Sequence, residues 1–251
     1  PKIIFPKLNL SNRKLIDNIL EEVGIELSVG GLLQNLIINF DTSKEILKAN
    51  IQALEISNNS MDLKGLVGKL SIYKGKGELA LNSPFIRASS SDFLDKDLEF
   101  YDFNSLLNFS FSNKKFEIYP SSFTSILDDE EIEGLLSFLT IPTKGLGDVN
   151  LRLRSKKLNH KSALSLFPNT AYLSSTKEGI DLLIDSALFE DLTLIYRGPV
   201  DGMYTDNSSS FVMQASGQDI SLDINGYKIL GANADLYINN FILTGKIFKG
   251  N

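Results

Sequence analysis

The sequence contains no cysteine and no tryptophan, and it has a single histidine, His160. Without cysteine there can be no disulfide framework, no thiol nucleophile and no cysteine-based metal site. One histidine in a polar stretch supplies no metal-binding spacing, and such a residue is far more often a surface side chain than a catalyst. We therefore predict no metal and no cofactor, and we expect His160 to lie on the surface.

Sequence motifs for catalysis are also missing. The chain has no nucleophile elbow, no phosphate-binding loop and no dinucleotide fingerprint, and Gly75-Lys76-Gly77 is typical of a hairpin turn. The acidic run Asp128–Glu131 could be imagined as paired carboxylates, but adjacent solvated acids keep ordinary pKa values without burial or a fixed partner. A carbohydrate-active β-protein is disfavoured by the lack of tryptophan and of a convergent carboxylate pair. We predict that the protein is not an enzyme.

Charge and hydrophobic run length exclude further classes of partner. The formal net charge is −6 and there is no basic stripe, which argues against nucleic acid as a partner. No uncharged apolar run is long enough to span a bilayer, and no signal peptide is visible. Because the chain starts at Pro1 and ends within a strand-like stretch, we expect residues 1–251 to be one continuous segment of a longer protein.

What the sequence has in abundance is short stretches in which apolar and polar residues alternate, separated by Gly, Asn and Ser. Alternation with a period of two predicts strands with one apolar face. The predicted fold is mainly β: an elongated, twisted antiparallel sheet with a few short helices. The residues expected to share the apolar face are Leu36, Ile38, Phe40, Leu70, Ile72, Leu79, Leu81, Phe109, Phe111, Leu151, Leu153, Leu192, Leu194, Tyr196, Leu222, Ile224, Leu236 and Ile238.

This apolar face has two interpretations. From periodicity alone, the commoner outcome is a β-sandwich in which two inner faces pack on each other. The alternative is a single curved sheet with an open concave face, and such a face would need an apolar ligand to cover it.

Residues 128–141 also permit two interpretations. Acidic residues before an apolar run are typical of the first turn of a helix, whereas Leu135–Ile141 is a plausible strand that ends at Pro142. We favour the strand because every neighbouring element is predicted to be one.

A helix followed directly by a strand is predicted near the C-terminal third. Ser175 and Glu178 form a capping-box signature, apolar residues recur at helical spacing over Ile180–Leu188, and alternation begins at Leu192. The same unit is found earlier, after Ser11. Gly31–Phe40 aligns with Ala187–Tyr196, which makes Leu36 equivalent to Leu192. Leu63–Ile72 aligns with Ile229–Ile238. We therefore predict two divergent repeats of a helix-plus-strands module, approximately residues 11–82 and 175–248.

Three stretches together resemble the YhdP proteins of the AsmA-like family. The first is Thr170–Leu173, a short helix and then Ala187–Pro199, which is similar to that family's unit of a Tyr-Leu pair, helix, hydrophobic strand and Arg-Gly. The second is Ala215–Ile238, in which Gly226-Tyr227 stands where the family has Trp-Pro. The third comprises the intervening strands Leu63–Pro84 and Asn108–Tyr119.

The resemblance implies a fold and a function. Proteins of this kind are anchored in the inner membrane of diderm bacteria by an N-terminal helix, which this segment lacks. They extend a long sheet, folded lengthwise into a hydrophobic groove, across the periplasm. The resemblance therefore implies a non-enzymatic conduit segment for phospholipid between the inner and outer membranes, with the apolar face as its lining. The alternative is a structural or assembly scaffold of the TamB type, linked with outer-membrane protein biogenesis.

Overall fold

Thirteen strands follow one another in space in the same order as in the sequence. The computed structural model describes residues 2–10, 28–39, 47–57, 61–90, 94, 96–112, 115–139, 147–166, 171–199, 210–224, 226–239 and 242–249. Within these residues the protein is mainly β, with a single antiparallel sheet and two short helices. Strands β1 and β13 each pair with one described neighbour, so the sheet is open at both sides.

The strands are β1 Lys2–Asn9, β2 Ser28–Asn39, β3 Leu47–Ser57, β4 Met61–Tyr73, β5 Lys76–Ser90, β6 Leu98–Ser112, β7 Lys115–Leu127, β8 Glu130–Leu139, β9 Asp148–Asn159, β10 Ile184–Pro199, β11 Ser210–Ile224, β12 Tyr227–Asn239 and β13 Ile242–Lys249. The helices are α1 His160–Ser165 and α2 Ala171–Leu183, and both lie between β9 and β10.

Two tight turns show why neighbouring strands pair. Lys74 and Gly75 both have positive φ between β4 and β5, and Asp128 and Asp129 both have positive φ between β7 and β8. Two successive residues with positive φ give the turn whose twist matches a β-hairpin, and Gly and Asp tolerate that backbone conformation better than most residues do. The hairpin turn that the sequence indicates around Gly75-Lys76-Gly77 is confirmed, with Lys74 and Gly75 as its two turn residues.

The ambiguous stretch 128–141 forms the strand β8 over its described part, Glu130–Leu139, as favoured from the sequence. The predicted helix over Ile180–Leu188 is wrong in its second half, because α2 ends at Leu183 and β10 begins at Ile184. Ser175 does not start the helix but lies within α2. The helix predicted after Ser11 lies outside the described residues.

Several strands contain a residue with positive φ in their interior. Asn35 in β2, Asp102 in β6 and Asp191 in β10 have φ of 51°, 49° and 51°, and the register shifts beside each of them. These shifts are β-bulges, which insert a residue, bend the strand and increase its twist. A bulge also interrupts the alternation of side chains, so consecutive residues of one face can be three positions apart.

The strand sets β2–β4 and β10–β12 carry such residues at matching places. Positive φ occurs at Asn35, Ala53 and Gly65 in the first set and at Asp191, Asp219 and Gly231 in the second, and also, outside this correspondence, at Gly31 in β2 and Gly198 in β10. The register shifts between β2 and β3 after Gln34, and between β10 and β11 after Glu190, one residue before Asn35 and Asp191 respectively. It also shifts between Ile51 and Leu54 on β3 and between Gly217 and Ile220 on β11.

The core consists of two clusters of buried apolar side chains. The larger cluster draws residues from β6 to β12 and from both helices, including Leu158, Ile180, Leu194 and Phe211. The smaller cluster comprises Leu10, Ile51, Leu54, Leu66, Leu81 and Ile86. No helix within the described part of the chain has the length and apolar character needed to cross a bilayer.

Candidate functional site

One line of directly paired residues crosses the sheet from β1 to β12. Paired residues on adjacent strands project to the same face, so these side chains share a face. This central row consists of Leu8, Leu33, Ile51, Gly68, Leu81, Ser105, Phe123, Gly134, Leu153, Leu194, Met213 and Ile238. Ser105 is its one polar side chain. We call the face that carries the central row the inner face.

The register places most of the residues predicted to line a groove on this inner face. They are Leu36, Ile38, Leu70, Ile72, Leu79, Leu81, Phe109, Phe111, Leu151, Leu153, Leu192, Leu194, Tyr196, Leu222, Leu236 and Ile238. Phe40 lies outside the described residues, and Ile224 ends β11 opposite Tyr227. Their sharing a face is a property of the fold, whereas their role as a lining stays a prediction.

Burial on the inner face varies along the strands. Near the middle of the strands, Leu81, Leu153 and Leu194 are buried. On β2–β9, the inner residues nearest the strand ends on the side of the Lys74-Gly75 turn are half-buried or exposed, and Phe111 is 36% exposed, whereas Tyr196 and Phe211 at the same side of β10 and β11 are buried. We call this side, represented by Ile38, Ile72, Phe111, Ile118 and Phe138, the open margin.

Aromatic rings line part of the open margin. The ring centroids of Phe109 and Phe116 are 5.6 Å apart, and those of Phe116 and Phe138 are 6.2 Å apart. Both pairs are tilted, which is an arrangement that aromatic rings prefer. A cleft of about 470 Å³ adjoins them, with Ile118, Phe138 and Val149 on its apolar side and charged residues such as Arg197 on the other. The open margin thus offers an apolar surface beside a polar rim.

The opposite strand ends of β9 and β10 are covered by the two helices, and we call this side the helix margin. Leu158 at the end of β9, Leu164 in α1 and Ile180 in α2 are all buried in the larger core cluster. Asn159 caps α1 by accepting a hydrogen bond from the backbone N–H of Ser162 at 2.9 Å.

His160 is not the surface residue that the sequence predicts. It opens α1 and is only 6% exposed, because α1 folds onto the inner face at the helix margin. Burial lowers the pKa of His160, Asp181 opposes that shift, and Lys161 adds to it. The histidine is therefore mainly neutral at pH 7 and belongs to the packing of the helix margin.

The acidic run at the β7–β8 turn has a structural contact that the sequence does not reveal. The hydroxyl of Ser162 in α1 donates a hydrogen bond to the carboxylate of Asp128. This contact ties the turn to the helix margin. Within the described part of the chain, no group of three or more His, Asp or Glu side chains could hold a metal ion.

Sequence reasoning missed a set of buried serines in the middle strands. Ser125 donates to the carbonyl of Tyr101 at 2.7 Å, Ser155 donates to that of Lys157 at 2.8 Å, and Ser83 donates to that of Val67 at 3.2 Å. Bulges leave backbone groups without ladder partners, and these hydroxyls satisfy some of them. A serine that interrupts an apolar alternation was the available signal. Because the hydroxyls are bonded, the buried inner face keeps its apolar character.

Comparison of the chain with protein-family models, curated proteins and solved structures finds no match in any of the three. What supports a function is therefore the inner face with its two margins.

Proposed function

We propose that the inner face carries the acyl chains of phospholipid, and that the chain is a non-enzymatic segment of an AsmA-like, YhdP-type conduit between the inner and outer membranes. In this proposal the segment works in the periplasm, anchored to the inner membrane through a helix outside it. The observation that carries the proposal is the central row, which crosses twelve strands with one polar side chain. A row of this kind supplies a long surface without a specific polar site.

The energetics of lipid transfer favour such a surface. Moving an acyl CH₂ group into water costs about 0.8 kcal/mol, so two ordinary chains cost on the order of 20 kcal/mol. An apolar lining removes most of this barrier. The bonded hydroxyls of Ser83, Ser125 and Ser155 matter here, because an unsatisfied polar group beside an acyl chain would restore part of the cost.

We further propose that the strand sets β2–β4 and β10–β12 are two copies of one module. The support is the positive φ at Asn35 and Asp191 and at Gly65 and Gly231, two pairs that the alignment made from the sequence also matches, together with similar register shifts. Duplication of a module with the same face inward would lengthen an acyl path without a new site.

Access to the inner face is best at the open margin. Ile38 and Ile72 are half-buried there and Phe111 is exposed, whereas Leu153, Leu194 and Ile238 on the central row are nearly inaccessible. Acyl chains would therefore enter at the open margin. Passage along the middle of the strands would require the inner side chains of β9–β12 to move apart.

Photocrosslinking from two adjacent residues tests the acyl path. Ile72 and Ser71 lie on β4, are both half-buried and face opposite sides of the sheet. A benzoylphenylalanine at position 72 should crosslink to phospholipid from mixed vesicles, and the same group at position 71 should not. Equal yields at both positions, or no lipid adduct at position 72 in a folded variant, would contradict the proposal.

A structural or assembly scaffold of the TamB type is the second candidate. It is favoured by the burial of Leu153, Leu192 and Leu194, because side chains this inaccessible resemble the interior of a closed core. Mass spectrometry of lipids that co-purify with the chain under non-denaturing conditions separates the two candidates. Stoichiometric phospholipid supports the conduit, and its absence supports the scaffold.

A further inference from the structure

A solvent-open pocket of about 270 Å³ lies at the helix margin, between the two helices and the bend before β6. Its walls are formed by Lys96, Lys161, Leu164, Ser165, Lys177 and Asp181, and we call it the lysine pocket. At about 30 Å³ for each water molecule, the pocket has room for roughly nine. It can therefore hold a phosphate group together with a small substituent.

The walls of the lysine pocket are predominantly positive. Three lysines from three chain segments line it together with one aspartate, in a protein whose formal net charge is −6. Asp181 lies one helical turn after Lys177 on α2 and offsets part of that charge. Burial lowers the pKa of Lys177, and Asp181 opposes the shift. With three lysines and one aspartate on its walls, the pocket offers a net positive environment that favours an anion.

The lysine pocket also adjoins the apolar interior. Leu164 forms part of its wall and belongs to the larger core cluster together with Ile180 and Leu194. One side chain, Leu164, thus belongs both to the pocket wall and to the larger core cluster. A molecule with an anionic end and an apolar end could occupy both regions.

We infer that the lysine pocket binds the phosphate of an anionic phospholipid headgroup, with its acyl chains directed towards the inner face beside Leu164. The binding of the headgroup is inferred from the pocket itself, whereas the direction of the acyl chains rests on the proposed acyl path. Lysine suits this role because its ammonium group binds phosphate as a point charge without a fixed orientation. Such a contact would hold a lipid at the helix margin while permitting its release.

The test measures binding of three soluble probes to the whole chain by titration calorimetry. The probes are dihexanoyl-phosphatidylglycerol, dihexanoyl-phosphatidylcholine and inorganic phosphate, with both lipids below their micelle concentrations. Lys96→Gln and Lys161→Gln are the pocket variants, since both side chains are exposed and their replacement should leave the fold intact. Lys69→Gln is the matched control, because Lys69 is an exposed lysine on β4 outside the pocket.

We expect saturable binding of the phosphatidylglycerol probe, weakened about tenfold by either pocket variant, as for the loss of one charge-assisted contact. Lys69→Gln should not change the affinity, and phosphatidylcholine and inorganic phosphate should bind more weakly. Equal affinity of the unmodified chain and both pocket variants for phosphatidylglycerol would overturn the inference. Inorganic phosphate that binds as tightly, with the same sensitivity to the variants, would overturn the headgroup assignment.

The binding test of the lysine pocket and the crosslinking test of the acyl path can fail independently of each other. Pocket-dependent binding of phosphatidylglycerol without lipid crosslinking at position 72 would support the headgroup site and reject the path. Crosslinking at position 72 with variant-independent binding would reject the pocket alone.

Discussion

Two short rows of inner-face residues in the strand sets β2–β4 and β10–β12 would be equivalent in the proposed repeat, yet their exposure differs. In the first set, Ile38, Leu47 and Ile72 are paired in a row and all three are half-buried. Their counterparts Leu194, Met213 and Ile238 are 4%, 3% and 1% exposed. The backbone register and the apolar character are alike, so neither of them determines the exposure.

The two rows differ in their membership of the larger core cluster. Leu194, Met213 and Ile238 belong to this cluster, to which α1 and α2 also contribute Leu164 and Ile180. The row of the second set is thus part of a buried cluster that includes the helices, while the row of the first set lies on the open margin. If the inner face carries acyl chains, entry belongs to the first set and the second set needs a rearrangement.

The largest expected effect is the loss of protein stability when a charge is placed at either of two corresponding positions. Leu194→Asp should lower the free energy of unfolding by about 3 kcal/mol or more, because a buried unpaired carboxylate loses its hydration. Ile38→Asp should cost about 1 kcal/mol, since its carboxylate can remain partly hydrated at the open margin. Urea unfolding followed by circular dichroism measures both values.

Ile195→Asp provides the control, because Ile195 is half-buried on the opposite face of the same strand. Its cost should be close to that of Ile38→Asp. Similar losses for Leu194→Asp and Ile38→Asp would show that the two rows do not differ in solvent access.

The faces of the strands could be predicted from the sequence, but the bulges could not. Alternation at Leu192, Leu194 and Tyr196 marks the inner face directly, because no bulge intervenes. Across a bulge the inner residues are three positions apart, as with Phe189 and Leu192, and this spacing imitates a helical stripe. The same effect explains why Ile184–Leu188 was predicted to be helical although it begins β10.

The depth of burial could not be predicted from local sequence either. Leu194 and Ile38 have similar sequence surroundings, yet only Leu194 belongs to the larger core cluster, which draws residues from distant strands and from both helices. His160 shows the same limit, since its polar neighbours in sequence suggest the surface while the fold of α1 buries it. The lysine pocket joins Lys96, Lys161 and Lys177, which no spacing in the sequence connects.

An intermediate effect is expected at two glycines with positive φ in corresponding positions. Gly65 has φ of +90°, and an added Cβ would lie 2.5 Å from the carbonyl oxygen of Phe85. Gly231 has φ of +67°, and an added Cβ would meet nothing within 4 Å. Gly65→Ala should therefore cost about 3 kcal/mol from strain and overlap, whereas Gly231→Ala should cost about 1 kcal/mol from the backbone conformation alone.

Urea unfolding of the two alanine variants gives this difference directly, with Gly179→Ala as a control in α2, where an added Cβ meets nothing and φ is not positive. Alanine at that helical position should be neutral or slightly stabilising. Equal costs for Gly65→Ala and Gly231→Ala would mean that close packing against β5 is not what distinguishes the two bulges.

The smallest effect concerns the pH dependence of stability at the helix margin. Among the described residues, the first strand set has no such margin. Burial lowers the pKa of His160 below its ordinary value of about 6.5. As pH falls through that value, the unfolded chain takes up a proton before the folded chain does, so stability should decrease on acidification. Unfolding midpoints at pH 7.5 and pH 5.0 should therefore differ more for the unmodified chain than for His160→Gln.

Lys161→Gln sharpens this test, because Lys161 contributes to the lowering of the His160 pKa while Asp181 opposes it. Removing the lysine should raise that pKa towards its ordinary value and reduce the loss of stability between pH 7.5 and pH 5.0. His160→Gln should reduce it further, since no imidazole remains to take up the proton in the unfolded chain. Parallel pH profiles for all three proteins would show that His160 is hydrated in solution and that α1 does not cover the second strand set. The difference in exposure between the two rows would then need another cause.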